Sequence, residues 1–151
     1  VSMSLYLEDL QPGRRIGTGE LTLDKQQMLT FAQAYDPQPF HLDEAAAARS
    51  VFGGLVASGF QTAALAWVLA LRTGCFDESN LAGIGIDELR WKKPLVAGET
   101  VSCRLEVIEG RPSASKPDRG TVVIRYDLVN RAGELLLTMK LIHVVKRRQH
   151  A

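Results

Sequence analysis

The chain has 151 residues, 46% hydrophobic and 23% charged, with a formal net charge of +1 at pH 7. That length suits one domain with a real core, and the near-neutral balance gives no electrostatic reason to expect nucleic acid as a partner. The longest unbroken apolar run, Ala63 to Leu71, falls far short of the ~20 residues a membrane helix needs. No basic stretch followed by an apolar core stands at the N-terminus, so a soluble, cytoplasmic protein is expected. Cys75 and Cys103 lack metal-ligand or redox-motif spacing. They are expected to be reduced thiols, Cys103 on a strand and Cys75 near a helix end.

Residues 1–13 read as an irregular lead-in that ends in a Pro12-Gly13 turn. Partial alternation of Ile16, Leu21 and Leu23 predicts a strand over Arg15 to Leu23. Asp24 can cap a helix whose apolar positions Met28, Leu29, Phe31, Ala32 and Tyr35 recur at helical spacing. Pro37 must end that helix, which leaves Asp36 at its C-terminal lip. With two prolines, Asp36-Pro37-Gln38-Pro39-Phe40-His41 is expected to be a shaped loop rather than helix. Asp43 can cap a short alanine-rich helix over Glu44 to Arg49, and Val51 to Ser58 is a glycine-bearing loop. From Gly59 to about Thr73 runs a segment that is apolar on all faces and closed by Gly74. A helix of that kind is buried, here beneath a wrapping sheet.

The second half changes period. Ile84 to Trp91, Thr100 to Ile108, Thr121 to Val129 and Leu135 to Val145 are strand-like, and Val101, Cys103, Leu105 and Val107 alternate with polar residues. Asn130-Arg131-Ala132-Gly133 is a hairpin turn, and Glu109 to Gly120, with Pro112 and Pro117, reads as a longer mobile polar loop. A strand, then helices, then four successive strands predicts an α+β fold with an antiparallel sheet.

The Asp36–His41 segment holds a carboxylate and an imidazole five residues apart, the residue types suited to proton transfer at neutral pH. On spacing alone the same residues would also form a surface turn, with Asp36 capping a helix and His41 exposed. The residues around them add a resemblance. Ala34-Tyr35-Asp36 through His41-Leu42-Asp43, followed by Phe52-Gly53-Gly54-Leu55-Val56-Ala57-Ser58-Gly59-Phe60, resembles the MaoC-like dehydratases and (R)-specific enoyl-CoA hydratases. That family pattern has an Asp, an Asn-Pro pair, a His and, about twenty residues later, a glycine opening a long apolar helix. Leu89 to Glu99 matches more loosely the family's strand, proline and turn, so the resemblance covers most of the chain. Gln38 stands where Asn is usual, and Ala34-Tyr35 replaces the common small-Gly pair. Both departures bear on substrate range more than on chemistry.

The resemblance implies a single MaoC-like hot-dog domain over residues 1–151, with a curved antiparallel sheet wrapped around the helix from Gly59. It also implies reversible hydration of a trans-2-enoyl thioester, on coenzyme A or an acyl carrier protein, and at least a homodimer. Hydration requires an activated water at the β-carbon, a proton at the α-carbon and stabilisation of the thioester oxygen. Asp36 and His41 can supply the first two by holding one water between them. The expected arrangement has His41 as base and Asp36 as its partner and proton donor, although sequence does not separate these roles. The Gly59 N–H, at a helix start where amides lack partners and the dipole favours negative charge, can meet the oxygen. Tyr35, Gln38, Phe40 and Ser58 flank the trio as candidate substrate-binding residues, Ser58 also as a helix cap.

This chemistry calls for no metal and no cofactor, and the three histidines are too widely spread for a metal site. His143 reads as a packed or partnered strand histidine, and His150 lies in the tail. Arg90, Lys92 and Lys93 either meet the phosphates of coenzyme A or are solvated edge charges. Gly17-Thr18-Gly19 and Gly83-Ile84-Gly85 lack the setting of a phosphate loop. Two alternatives share the fold, an acyl-CoA thioesterase and a non-catalytic acyl-binding subunit. The proline-bearing Asp-to-His loop argues against the first. Intact Asp36, His41 and Gly59 argue against the second.

Overall fold

The computed structural model describes residues 3–149. In chain order the elements are β1 (Arg15–Thr22), α1 (Lys25–Tyr35), α2 (Pro39–Leu42), α3 (Glu44–Ala48), α4 (Gly59–Arg72), β2 (Asn80–Trp91), β3 (Thr100–Pro112), β4 (Arg119–Asn130) and β5 (Leu135–Lys146). The strands form one antiparallel sheet in the order β1-β3-β4-β5-β2. Alternation decides which face is inward: Val101, Cys103, Leu105 and Val107 of β3 and Val122, Ile124, Tyr126 and Leu128 of β4 are all buried. The register sets Leu105 opposite Tyr126 and Tyr126 opposite Met139, so one apolar layer crosses three strands. Helix α4 lays Thr62, Ala66, Leu69 and Ala70 against this layer, and its two buried alanines permit a close approach. This is the sheet-around-helix arrangement that the resemblance implies.

The expectation that α4 is covered on all sides holds for one side only. Phe60, Ala64 and Leu71 are exposed. The sheet edge beside it, β2, is exposed along nearly its whole length, with Leu81, Ile84 and Ile86 facing solvent. Against β5, this strand carries three register shifts, after Asn80, Gly83 and Asp87. Bulges bend a strand and increase its twist. The last one contains Glu88, whose φ of 52° is the only positive value at a non-glycine among the described residues. Its carboxylate is held by Lys140 at 2.8 Å. The bend delivers Trp91 to the N-terminus of α4.

Three expectations change. The second half of the Asp36–His41 segment is a one-turn helix, because Pro39 occupies its first position, where the missing N–H costs nothing. β2 begins at Asn80, four residues earlier than its pattern suggests. The predicted mobile loop over Glu109 to Gly120 is largely paired, with Glu109 opposite Val123 and Arg111 opposite Thr121, leaving residues 113–118 as the connection. His150 lies outside the described residues. Cys75 and Cys103 are free and buried, and burial raises both thiols, Cys103 to about 12. No helix among the described residues is long and apolar enough to cross a membrane.

Candidate active site

Asp36 is where α1 stops. Its N–H still donates to Ala32 O at 2.9 Å, while φ of −154° and ψ of 66° turn the chain away from the helix, in keeping with the proline that follows. The single turn of α2 then carries His41 back, so that its Nε2 lies 3.2 Å from Asp36 Oδ2. His41 is 5% exposed, which removes the surface-turn alternative. Its Nδ1 sits 2.7 Å from Val56 O, an atom that only accepts, so Nδ1 carries a hydrogen. In the neutral ring the lone pair is therefore at Nε2, facing Asp36. Two further bonds fix the Val56 segment, from Val56 N to Phe40 O at 3.3 Å and from Ala57 N to Leu95 O at 2.8 Å.

Two neutral donors hold the carboxylate of Asp36. Gln38 Nε2 donates to Oδ1 at 2.6 Å, and Ser58 Oγ donates to Oδ2 at 2.7 Å. Burial by itself would raise the Asp36 carboxyl, but Gln38, Ser58 and the His41 ring together outweigh it and hold the group below its ordinary value. The carboxyl is ionised at neutral pH. That weighs against Asp36 as the proton donor and suits it as an orienting acceptor and counter-charge.

The start of α4 adjoins this pair. Ser58 caps the helix by accepting from Phe60 N at 3.2 Å. The Gly59 N–H has no acceptor among the described residues, as expected for the first amide of a helix. The Gly59 carbonyl accepts from Trp91 Nε1 at 2.9 Å. The indole covers the glycine so closely that a β-carbon there would lie 2.4 Å from it. The bare Cα at this position therefore makes room for Trp91, a reason that sequence reasoning missed.

Asp36, Gln38, His41, Ser58 and Gly59 thus form one connected set, and Phe40 walls the imidazole with ring centroids 4.5 Å apart. Tyr35 is not part of it: the residue is 75% exposed, and its ring packs on Phe31. Ser58 is wholly buried and committed to Asp36 and the helix cap. In the basic cluster, Lys93 pairs with Glu134, Arg90 donates to its own Leu89 O at 2.8 Å, and Arg90 and Lys92 are exposed. Along the next turns of α4 runs an apolar groove of about 440 Å³, lined by Ala63, Ala64, Trp67, Ile86, Met139 and Leu141. A larger hollow of about 730 Å³ beside Tyr6, Asp77 and Arg147 contains none of the acid–base residues. His143 is partnered, as expected, with Tyr126 Oη 2.9 Å from Nε2 and Asn80 Oδ1 3.2 Å from Nδ1.

The fold and the site define a hot-dog protein whose central helix begins against an Asp–His pair. Residues 9–128 match the family described as MaoC like domain, and the chain belongs to that family. A MaoC-like dehydratase from Rhodospirillum rubrum is 38% identical and superposes with a TM-score of 0.88, covering 97% of this chain and 100% of that one. The uncharacterized protein YdeM of Bacillus subtilis is 28% identical over 120 residues, which is 80% of this chain and 85% of that protein. An (R)-hydratase from A. caviae, 24% identical with a TM-score of 0.67 over 91% of this chain and 97% of that one, shares the fold.

Proposed function

We propose that this chain hydrates trans-2-enoyl thioesters reversibly to 3-hydroxyacyl thioesters, with the acyl group carried on coenzyme A or an acyl carrier protein. The observation that supports this most is the contact between His41 Nε2 and Asp36 Oδ2 at 3.2 Å, beside an α4 N-terminus whose first N–H is unpaired. One water donating a hydrogen to each of these acceptors presents its oxygen lone pairs to the β-carbon. As the C–O bond forms, a water O–H breaks and His41 Nε2 takes the proton. The imidazolium is stabilised by the adjacent carboxylate and returns that proton to the α-carbon. Electron density passing to the thioester oxygen meets the Gly59 N–H, an interaction of the kind worth ~3 kcal/mol in a transition state.

The apolar groove beside Ala63, Ala64 and Trp67 begins one turn beyond Gly59 and suits the acyl chain. A second copy of the chain pairs along the exposed β2 edge, where Ile84 is 62% and Ile86 52% exposed. Phe60, Trp91, Phe52 and Val51 are exposed near the site as well, which fits a chain covered by a partner in the working assembly.

The test is loss of enoyl-thioester absorbance with crotonyl-CoA and a longer enoyl-CoA, for the parent and for His41→Gln. Hydration by the parent and its loss in a folded variant support the reading. An inactive parent, or a variant with parental turnover, overturns it.

A further inference from the structure

Ser58 does more than begin a helix. Its hydroxyl has one hydrogen and two neighbours. The Phe60 N–H, 3.2 Å away, can only donate, so the oxygen must accept there. The single hydrogen is then directed at Asp36 Oδ2, 2.7 Å away, the same oxygen that lies 3.2 Å from His41 Nε2. The residue is wholly buried, so no solvent competes for either bond. Its own carbonyl is fixed from the other side by Thr62, through the backbone N at 3.1 Å and Oγ1 at 3.2 Å.

Few residues could fill both roles. Aspartate caps helices as well as serine does, yet here it would set a second carboxylate against Asp36. Glycine permits the helix start but donates nothing, and alanine does neither. The titratable group that the structure brings to Asp36 is His41; the remaining contacts are the neutral Gln38 amide and the Ser58 hydroxyl. Gln38 is exposed and reaches the other oxygen, Oδ1.

We infer that Ser58 is a positioning residue that ties the Asp36 carboxylate to the first turn of α4, so that the acid–base pair and the Gly59 N–H are held in one geometry. The inference rests on the hydratase reading for its kinetic consequence, but not for the bond itself. A hydrogen bond from a buried donor to an ionised carboxylate is among the stronger ones. Losing it lowers turnover by about tenfold or more at unchanged substrate affinity, and moves Asp36 protonation toward higher pH.

Three variants separate donation from capping. Ser58→Thr keeps both bonds; Ser58→Gly and Ser58→Ala lose both, but glycine is tolerated at a helix start far better than alanine. The measurements are kcat and KM on crotonyl-CoA across pH, the melting midpoint, and the Asp36 carboxyl titration by ¹³C NMR. Support is a Ser58→Gly protein that is folded and melts no lower than Ser58→Ala, with kcat down about tenfold or more, KM within about twofold and Asp36 titrating higher, while Ser58→Thr behaves as the parent. Parental kcat and parental Asp36 titration in Ser58→Gly overturn the inference, as does a Ser58→Thr protein no better than the glycine variant. Should the parent hydrate no enoyl thioester, the hydratase reading fails by itself, and the Asp36 titration in Ser58→Gly still decides whether the bond is made.

Discussion

Replacing Gly59 by alanine tests the packing that builds the site. An added β-carbon would lie 2.4 Å from Trp91 Cε2, 2.5 Å from Nε1 and 2.9 Å from Cζ2. The indole must turn away, which breaks its 2.9 Å bond to the Gly59 carbonyl and its edge-on contact with Phe60 at a centroid distance of 5.9 Å. The lost hydrogen bond is worth ~1 kcal/mol, and the aromatic pair about as much. Alanine recovers ~0.5–1 kcal/mol over glycine within a helix. The net cost is then ~1–1.5 kcal/mol, a fall in melting midpoint of roughly 2–6 °C at this chain length. Thermal unfolding and tryptophan emission read both consequences, since Trp91 is half exposed while Trp67 is packed against Phe76 and His143. In a Trp91→Ala background the obstacle is gone, and Gly59→Ala should cost nothing further. A single variant with parental melting and emission, or an equal loss in the double variant, would show that the indole does not obstruct a β-carbon at position 59.

Three other outcomes follow from the same structure. Burial lowers His143 from 6.5 to about 4, so the folded state resists protonation that the unfolded chain accepts; its contribution is complete above about pH 6.5 and is lost as pH falls toward 4, up to ~3 kcal/mol. Urea unfolding across that window should show the decline, and a flat profile would contradict it. Ile84→Lys with Ile86→Lys places charges on the exposed β2 edge and should turn an associated parent into a monomer in sedimentation velocity; a parent that is already monomeric would count against pairing there. Cys75 and Cys103, 4% and 1% exposed, should resist a thiol reagent at pH 8 until denaturant is added, and prompt labelling of the native protein would contradict their burial.

What could be read from sequence follows from how local each signal is. Asp24, Asp43 and Ser58 announce their helices because a capping side chain acts within three residues, and each accepts the expected amide bond. Strand β3 was legible because its inward residues are apolar and its outward ones polar. The outer end of β3 was not, since Glu109, Arg111 and Pro112 are exposed, and β4 starts on Arg119 and a buried Gly120 that carries no apolar side chain. The start of β2 was hidden in the same way, its glycines and bulges blurring the period. At the candidate site, the spacing of Asp36, His41 and Gly59 picked out residues that the fold brings together. The Ser58–Asp36 and Trp91–Gly59 bonds span 22 and 32 residues and depend on how α4 meets α1 and β2, which no local pattern records. The ionised state of Asp36 was hidden for a related reason: its donors, Gln38 and Ser58, are recognisable as donors only once they are seen around it.

In the proposed reaction Asp36 and His41 act together on a water beside an enoyl thioester. Its most direct test is the rate of crotonyl-CoA hydration by Asp36→Asn, measured beside the parent with both proteins shown to be folded. Hydration by the parent is expected, with a loss of about 10²–10⁴-fold in the variant, because His41 as acid–base group then lacks its orienting acceptor and counter-charge. A folded Asp36→Asn protein that hydrates crotonyl-CoA at the parent's rate would contradict it.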